Sequence, residues 1–287
     1  MKFFADTASL EEIKYCFSRG VKDGITTNPK IIEDTGDLSK GFIEACKDLI
    51  KEYPASPISL ETDLRGIDME NFENQDSLKI KNTLLKQAYE LVGLGKNVVI
   101  KIPMCEGGLM AAEELKKVNI MTNITACMSP YQAITATKYG KGYVSLFANR
   151  MVDSHIIEMS GNNLEETLKK PNWKDLVKQN KEEYFDKAWG LTLKEISYVA
   201  KRTKGTGCEL IVGSIRTPED VYKIASANPQ IITIPTKIVK DLEDIEELKK
   251  IGKELGKAVP LGNSINHPMT IYTLKEFENS ANAYRNN

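Results

Sequence analysis

One lysine interrupts an apolar run. Val98-Val99-Ile100-Lys101-Ile102-Pro103 reads as a buried strand with a single ammonium set into it. Desolvation disfavours the charged form of a lysine so placed, and the neutral amine is a nucleophile. Its attack on a ketone carbonyl gives a Schiff base, an electron sink for breaking a carbon–carbon bond. The plainer alternative is a strand-end lysine that reaches solvent or pairs with Glu61. Two carboxylates at the ends of other apolar runs, Asp6 and Glu61, have the chemistry for the accompanying proton transfers. Asp6 would take a proton from a hydroxyl, and Glu61 would position a water. Either carboxylate is also a fitting ion-pair partner for a buried lysine.

Further polar residues close the remaining runs: Thr26-Thr27-Asn28-Pro29, Asn123 and Thr125, Ser145 followed by Phe147 and Arg150, Ser214 and Arg216, and Thr233. Arginine is scarce, six residues in all, and two of them, Arg150 and Arg216, fall just after the sixth and seventh runs. A planar guanidinium fork suits a phosphate, and Ser214 adds a hydroxyl donor; a surface salt bridge is the alternative for each arginine. The only histidines, His155 and His267, neighbour no cysteine and no second histidine, so a His/Cys metal site has no support and none is expected. No Gly-rich phosphate loop is present either.

These residues need a scaffold that brings strand ends together. Short β-branched runs alternate with amphipathic segments such as the one carrying Leu84, Leu85, Ala88, Leu91 and Val92. Strands are expected at 2–5, 24–26, 58–60, 97–102, 119–122, 142–146, 209–212 and 231–234. Eight such units predict an α/β fold, a single-domain (β/α)8 barrel over residues 1–287, whose chemistry sits at the C-terminal strand ends. A charged stretch at 154–187 breaks the rhythm after the sixth strand, as a solvated helical extension or as a cover for the mouth. The tail at 268–285 is expected to form a last helix packing back across the barrel.

Composition excludes several other classes. The 287 residues are 41% hydrophobic, enough for a large core, and carry 39 Lys and Arg against 40 Asp and Glu. That balance argues against a nucleic-acid partner and against disorder. No apolar run approaches a membrane span and no targeting segment opens the chain, so no membrane partner is expected. Five scattered cysteines suggest reduced thiols and a cytoplasmic setting.

In order along the chain, Phe3-Phe4-Ala5-Asp6-Thr7-Ala8, Gly24-Ile25-Thr26-Thr27-Asn28-Pro29, Val99-Ile100-Lys101-Ile102-Pro103, Thr122-Asn123-Ile124-Thr125, the segment from Tyr143 to Arg150, and Gly213-Ser214-Ile215-Arg216 resemble the motifs of the transaldolases. This family includes a short bacterial and archaeal branch with the fructose-6-phosphate aldolases, and His267-Pro268 resembles its closing segment. The resemblance implies a cofactor-free transfer in which Lys101 forms a Schiff base with a ketose phosphate such as sedoheptulose 7-phosphate or fructose 6-phosphate. Asp6 would deprotonate the C4 hydroxyl, and Glu61 with Thr125 would hold the catalytic water. Asn28, Asn123 and Ser145 would hydrogen-bond the three-carbon adduct, Arg150, Ser214 and Arg216 would bind the phosphate, and Thr26 and Phe147 are further expected substrate-binding residues. A homo-oligomer is also implied.

Two positions bear on the reaction within the family. The aldolases place Gln where this chain has Glu61 and Tyr where it has Phe147, so the pair here is that of a transaldolase. Leu146 stands where a proline is usual, and the 154–187 stretch is unusual for the short branch. An aldolase releasing free dihydroxyacetone, a sulfosugar transaldolase and a non-catalytic sugar-phosphate-binding barrel are the alternatives.

Overall fold

The computed structural model describes residues 1–35, 42–251 and 264–285. Eight parallel strands close into one barrel in sequence order, β1 (Lys2–Asp6), β2 (Gly24–Thr26), β3 (Ile58–Glu61), β4 (Val98–Pro103), β5 (Thr122–Cys127), β6 (Gly142–Phe147), β7 (Cys208–Gly213) and β8 (Ile231–Ile234). Pairing of Ala5 with Ile234 seals the ring between first and last strands. The (β/α)8 barrel expected from the strand pattern is therefore what forms.

The helices between the strands are α1 (Leu10–Ser18), α2 (Pro29–Thr35), α3 (Phe42–Glu52), α4 (Ser77–Val92), α5 (Glu106–Lys117), α6 (Pro130–Tyr139), α7 (Ala148–Met159), α8 (Leu164–Leu168), α9 (Trp173–Thr203) and α10 (Pro218–Ser226). After β8 come α11 (Thr236–Asp241), α12 (Ile245–Ile251) and α13 (Pro268–Arg285). Their inner faces and the outward-facing strand residues Phe3, Ala5, Ile25, Ile58, Leu60, Ile100, Ile124 and Val144 form one continuous core. Nearly all strand residues are buried because the barrel covers one face of each strand and the helices cover the other.

Alternation along each strand divides the barrel interior into two storeys. The lower storey is an apolar plug of Phe4, Val99, Tyr143, Ile211 and Ile231, with Phe4 and Tyr143 meeting edge to face at 5.6 Å. Gly24 belongs to this level and must be glycine: a Cβ there would lie 2.6 Å from the Phe4 ring. Two residues further along the same strands stand Asp6, Thr26, Lys101, Ser145, Gly213 and Thr233. The polar ring thus sits directly on the plug.

Two elements differ from expectation. The fifth strand begins at Thr122 rather than 119, because Asn119 takes a left-handed turn conformation (φ 63°) after α5. That strand runs on to Cys127 through an irregularity at Ala126 (φ 60°), so Asn123 and Thr125 lie within it. In the charged stretch, Ser154, Ile156 and Ile157 continue α7 and are buried; α8 and the first half of α9 follow. Within this segment Trp173 and Val177 are also buried, so its polar composition conceals an inner face.

The last helix, α13, is fastened over the C-terminal mouth at two points. On one side the Thr270 hydroxyl donates to the Ala126 carbonyl (2.8 Å) and accepts from Gln132 Nε2 (3.0 Å). On the other, Glu278 accepts the Leu64 backbone N–H (2.9 Å). All five cysteines are free and buried.

Candidate active site

Lys101 lies on the inner face of β4, paired in register with Glu61 of β3 and Asn123 of β5. Its Nζ is 3.0 Å from Glu61 Oε2 and donates to the Thr27 carbonyl at 2.8 Å. Both side chains are almost fully buried, at 5% and 2% exposure. Burial pushes the Glu61 carboxyl up to about 7 against the lowering effect of the adjacent ammonium. Asp6 is likewise raised above its ordinary value by burial, with Lys101 and the hydroxyls of Thr26 and Thr233 pulling the other way. The Thr26 hydroxyl donates to Asp6 Oδ1 at 2.6 Å and also meets the Thr233 hydroxyl.

Asp6, Thr26, Lys101 and Thr233 form the floor of a cavity of about 210 Å³ opening at the strand ends. Of the residues singled out in the sequence, Asp6, Thr26, Asn28, Lys101, Ser145, Phe147, Arg150 and Ser214 line it. Glu61 borders a neighbouring space of about 10 Å³, roughly one water in size, with Thr62, Pro103 and Phe277 among the walls. Asn123 lies beside the floor, where its Oδ1 accepts from Ser145 Oγ (2.7 Å) and its Nδ2 donates to Ser59 Oγ (3.3 Å). Thr125 is buried two residues above Asn123, and its hydroxyl has no hydrogen-bond partner among the described residues.

Local structure sets several of these positions. Asn28 receives the Ile31 N–H (2.8 Å) and so turns the chain from β2 into α2. Ser214 holds a left-handed conformation (φ 62°) and its carbonyl accepts from Asn149 Nδ2 at 2.7 Å. Asp220 ties the loop after β7 by accepting from Asn149 Nδ2 and from the backbones of Arg216 and Thr217, at 2.8, 2.9 and 3.1 Å.

The two arginines separate. Arg150 lines the cavity; one amino group pairs with Glu276 of α13, while Nη1 is buried with no hydrogen-bond partner among the described residues. Arg216 is not among the lining residues. Asp153 of α7 holds its guanidinium through both nitrogens, at 2.8 and 2.5 Å. Neither histidine lines the cavity. Burial alone would lower His155, but the hydrogen-bonded Glu195 carboxylate and the nearby Glu158 carboxylate outweigh it and push it up to about 9. Burial takes His267 down to about 4.

The sequence reading missed the contributions of α13, from which Thr273 and Phe277 line the cavity, Phe277 against Phe147 at 6.2 Å between ring centres. It also missed Glu276 and Tyr272 beside Arg150. For Asp153 a signal existed: three residues after Arg150 on a helix, it shares that arginine's side of α7.

The arrangement defines a (β/α)8 barrel with a lysine–carboxylate centre at the strand ends where barrel enzymes work. Comparison with known proteins narrows that class: residues 3–286 match the family model described as transaldolase/fructose-6-phosphate aldolase, and the chain belongs to that family. It is thus similar to enzymes of the transaldolase/aldolase type. A probable transaldolase of Clostridium tetani is 34% identical over 239 residues, covering 83% of this chain and 88% of the relative. One from Aquifex aeolicus is 35% identical over 242 residues, 84% and 88% of the two chains. Among the described residues no helix is long and apolar enough to cross a membrane.

Proposed function

We propose that this protein is a transaldolase that moves a dihydroxyacetone unit from a ketose phosphate to an aldose phosphate through a Schiff base on Lys101. The observation that supports this most is the buried Lys101 amine on the cavity floor, 3.0 Å from Glu61 and in the company of Asp6. Glu61 takes the ammonium proton, and the neutral amine attacks the C2 carbonyl. Loss of water leaves the iminium. Asp6 then accepts the C4 hydroxyl proton as the C3–C4 bond breaks, its electron pair flowing into the iminium to give an enamine. The aldose formed departs. The enamine carbon attacks the aldehyde of a second aldose, Asp6 returns its proton to the new alkoxide, and water hydrolyses the product from Lys101.

A carboxyl raised to about 7, as Glu61 is, gives and takes protons readily near neutral pH. The unpartnered Thr125 hydroxyl and the small space beside Glu61 suit the water consumed and released. Ser145 and Asn123 would meet the hydroxyls of the three-carbon unit, and the Arg150 guanidinium and Ser214, both in the cavity lining, would meet the distal phosphate. Arg216, held by Asp153 outside the lining, is left out of the phosphate contacts in this reading.

The test is borohydride trapping with fructose 6-phosphate, read by mass on the Lys101 peptide. Adduct on wild type and none on Lys101→Met is expected. An unlabelled Lys101 in active enzyme would overturn the proposal, and no turnover at all would favour a binding barrel. Fast release of free dihydroxyacetone without an acceptor aldose would mark an aldolase instead.

A further inference from the structure

The wall of the cavity above Lys101 contains an arginine that is already matched by a carboxylate. Glu276 of α13 borders a neighbouring space with Tyr272 and Lys275 rather than the cavity itself, and accepts a hydrogen bond from Arg150 Nη2. The same carboxylate accepts from the Tyr272 hydroxyl at 3.0 Å and lies 3.9 Å from Lys174 Nζ. The Tyr272 ring in turn stacks beneath the Arg150 guanidinium at 5.4 Å and meets Trp173 of α9 edge-on at 5.3 Å. The segment after β6 therefore fixes where this carboxylate stands. Across the loop, Asp153 matches Arg216 in the same way. Both arginines are thus offset by carboxylates, and Arg150 is the one of the two that lines the cavity.

Arg150 is largely buried, at 17% exposure, where the interaction between charges is weakly screened. A phosphate dianion arriving beside it meets a guanidinium whose field is partly cancelled, and it repels the Glu276 carboxylate. A neutral hydroxyl in the same place meets neither penalty. We infer that Glu276 is a specificity-determining residue: it sets how strongly the cavity prefers a donor with a charged distal group, lowering the premium on a dianion relative to a monoanion or a neutral ketose. This rests on the reading of Lys101 as the Schiff-base lysine and of Arg150 as the residue facing the donor's far end. Glu276 touches no reacting atom and acts through Arg150.

The experiment compares kcat/KM for three donors, fructose 6-phosphate, its 6-sulfonate analogue and fructose, at pH 8, where the phosphate is a dianion. Glu276→Gln keeps the shape and a hydrogen-bond acceptor for Arg150 while removing the charge. The expected result is a phosphate-to-fructose selectivity ratio about tenfold higher than wild type, with a rise of about threefold for the sulfonate. Tyr272→Phe keeps the ring under Arg150 but loosens the carboxylate, and should move the ratio the same way by less. An equal change for all three donors would mean a structural role only. A fall in the phosphate ratio would mean that Glu276 aligns Arg150 for the anion; either outcome overturns the inference. Borohydride trapping on Lys101 runs alongside with each protein. Adduct with an unchanged ratio disposes of Glu276 alone, whereas absence of adduct in wild type disposes of the Schiff-base reading beneath it.

Discussion

Replacing Glu61 by glutamine removes the carboxylate that, among the described residues, pairs with Lys101, while preserving shape. With Glu61 titrating at about 7, the ionised form needed to accept a proton falls to roughly a tenth at pH 6. Wild-type kcat/KM for fructose 6-phosphate should thus show an acidic limb with its midpoint near 7. In Glu61→Gln the plateau should drop on the order of 10²- to 10³-fold, the usual worth of a positioned proton carrier, and that limb should vanish. Stability provides a second reading with a definite sign. A carboxyl raised in the folded state binds its proton more tightly there than when unfolded. Its contribution is fully present below 4.5 and is lost as pH rises through about 7. Over that window wild type should lose up to roughly 3 kcal/mol relative to Glu61→Gln. The assays are a pH–rate profile and urea unfolding at pH 5 and pH 8. A variant that keeps the limb near 7 would refute the assignment of that titration to Glu61.

Two further outcomes follow from the packing. Gly24→Ala drives a methyl to 2.6 Å from a Phe4 ring held by Tyr143, so it should cost about 1–3 kcal/mol of stability by urea unfolding. Addition of Phe4→Leu should recover part of this, and a neutral Gly24→Ala would show that the plug is loosely packed. His155→Gln should destabilise most at low pH. A histidine raised from 6.5 to about 9 contributes stability fully present below 6.5 and lost as pH rises through 9, at most about 3 kcal/mol. The gap from wild type should close between pH 6.5 and 10, and a constant gap would contradict the His155–Glu195 contact as its source.

The barrel was legible because each strand states its two storeys in sequence: Phe4 then Asp6, Val99 then Lys101, Tyr143 then Ser145. Period-two alternation of an apolar residue and a polar one is read without knowing the neighbours. The start of β5 was not, since Ile120 and Met121 look like strand residues and only the left-handed Asn119 shows that the turn is unfinished. The part played by α13 was hidden for another reason. Its periodicity marks a helix, but which of its sides meets the mouth depends on anchors as remote as Gln132 and Leu64. Arg216 stands where a phosphate ligand would be sought, yet a carboxylate from another helix holds it away from the lining.

The apolar plug has a kinetic consequence. Phe4, Val99, Tyr143, Ile211 and Ile231 stop up the far end of the barrel, and Thr273 and Phe277 lean over the near one. In the proposed reaction, substrate, departing aldose, incoming aldose and water therefore share the mouth at the strand ends and one berth above Lys101. Two aldoses cannot occupy it together, so each should act as a competitive blocker of the other. Raising the acceptor should first speed turnover and then choke it, as both sugars queue at that mouth.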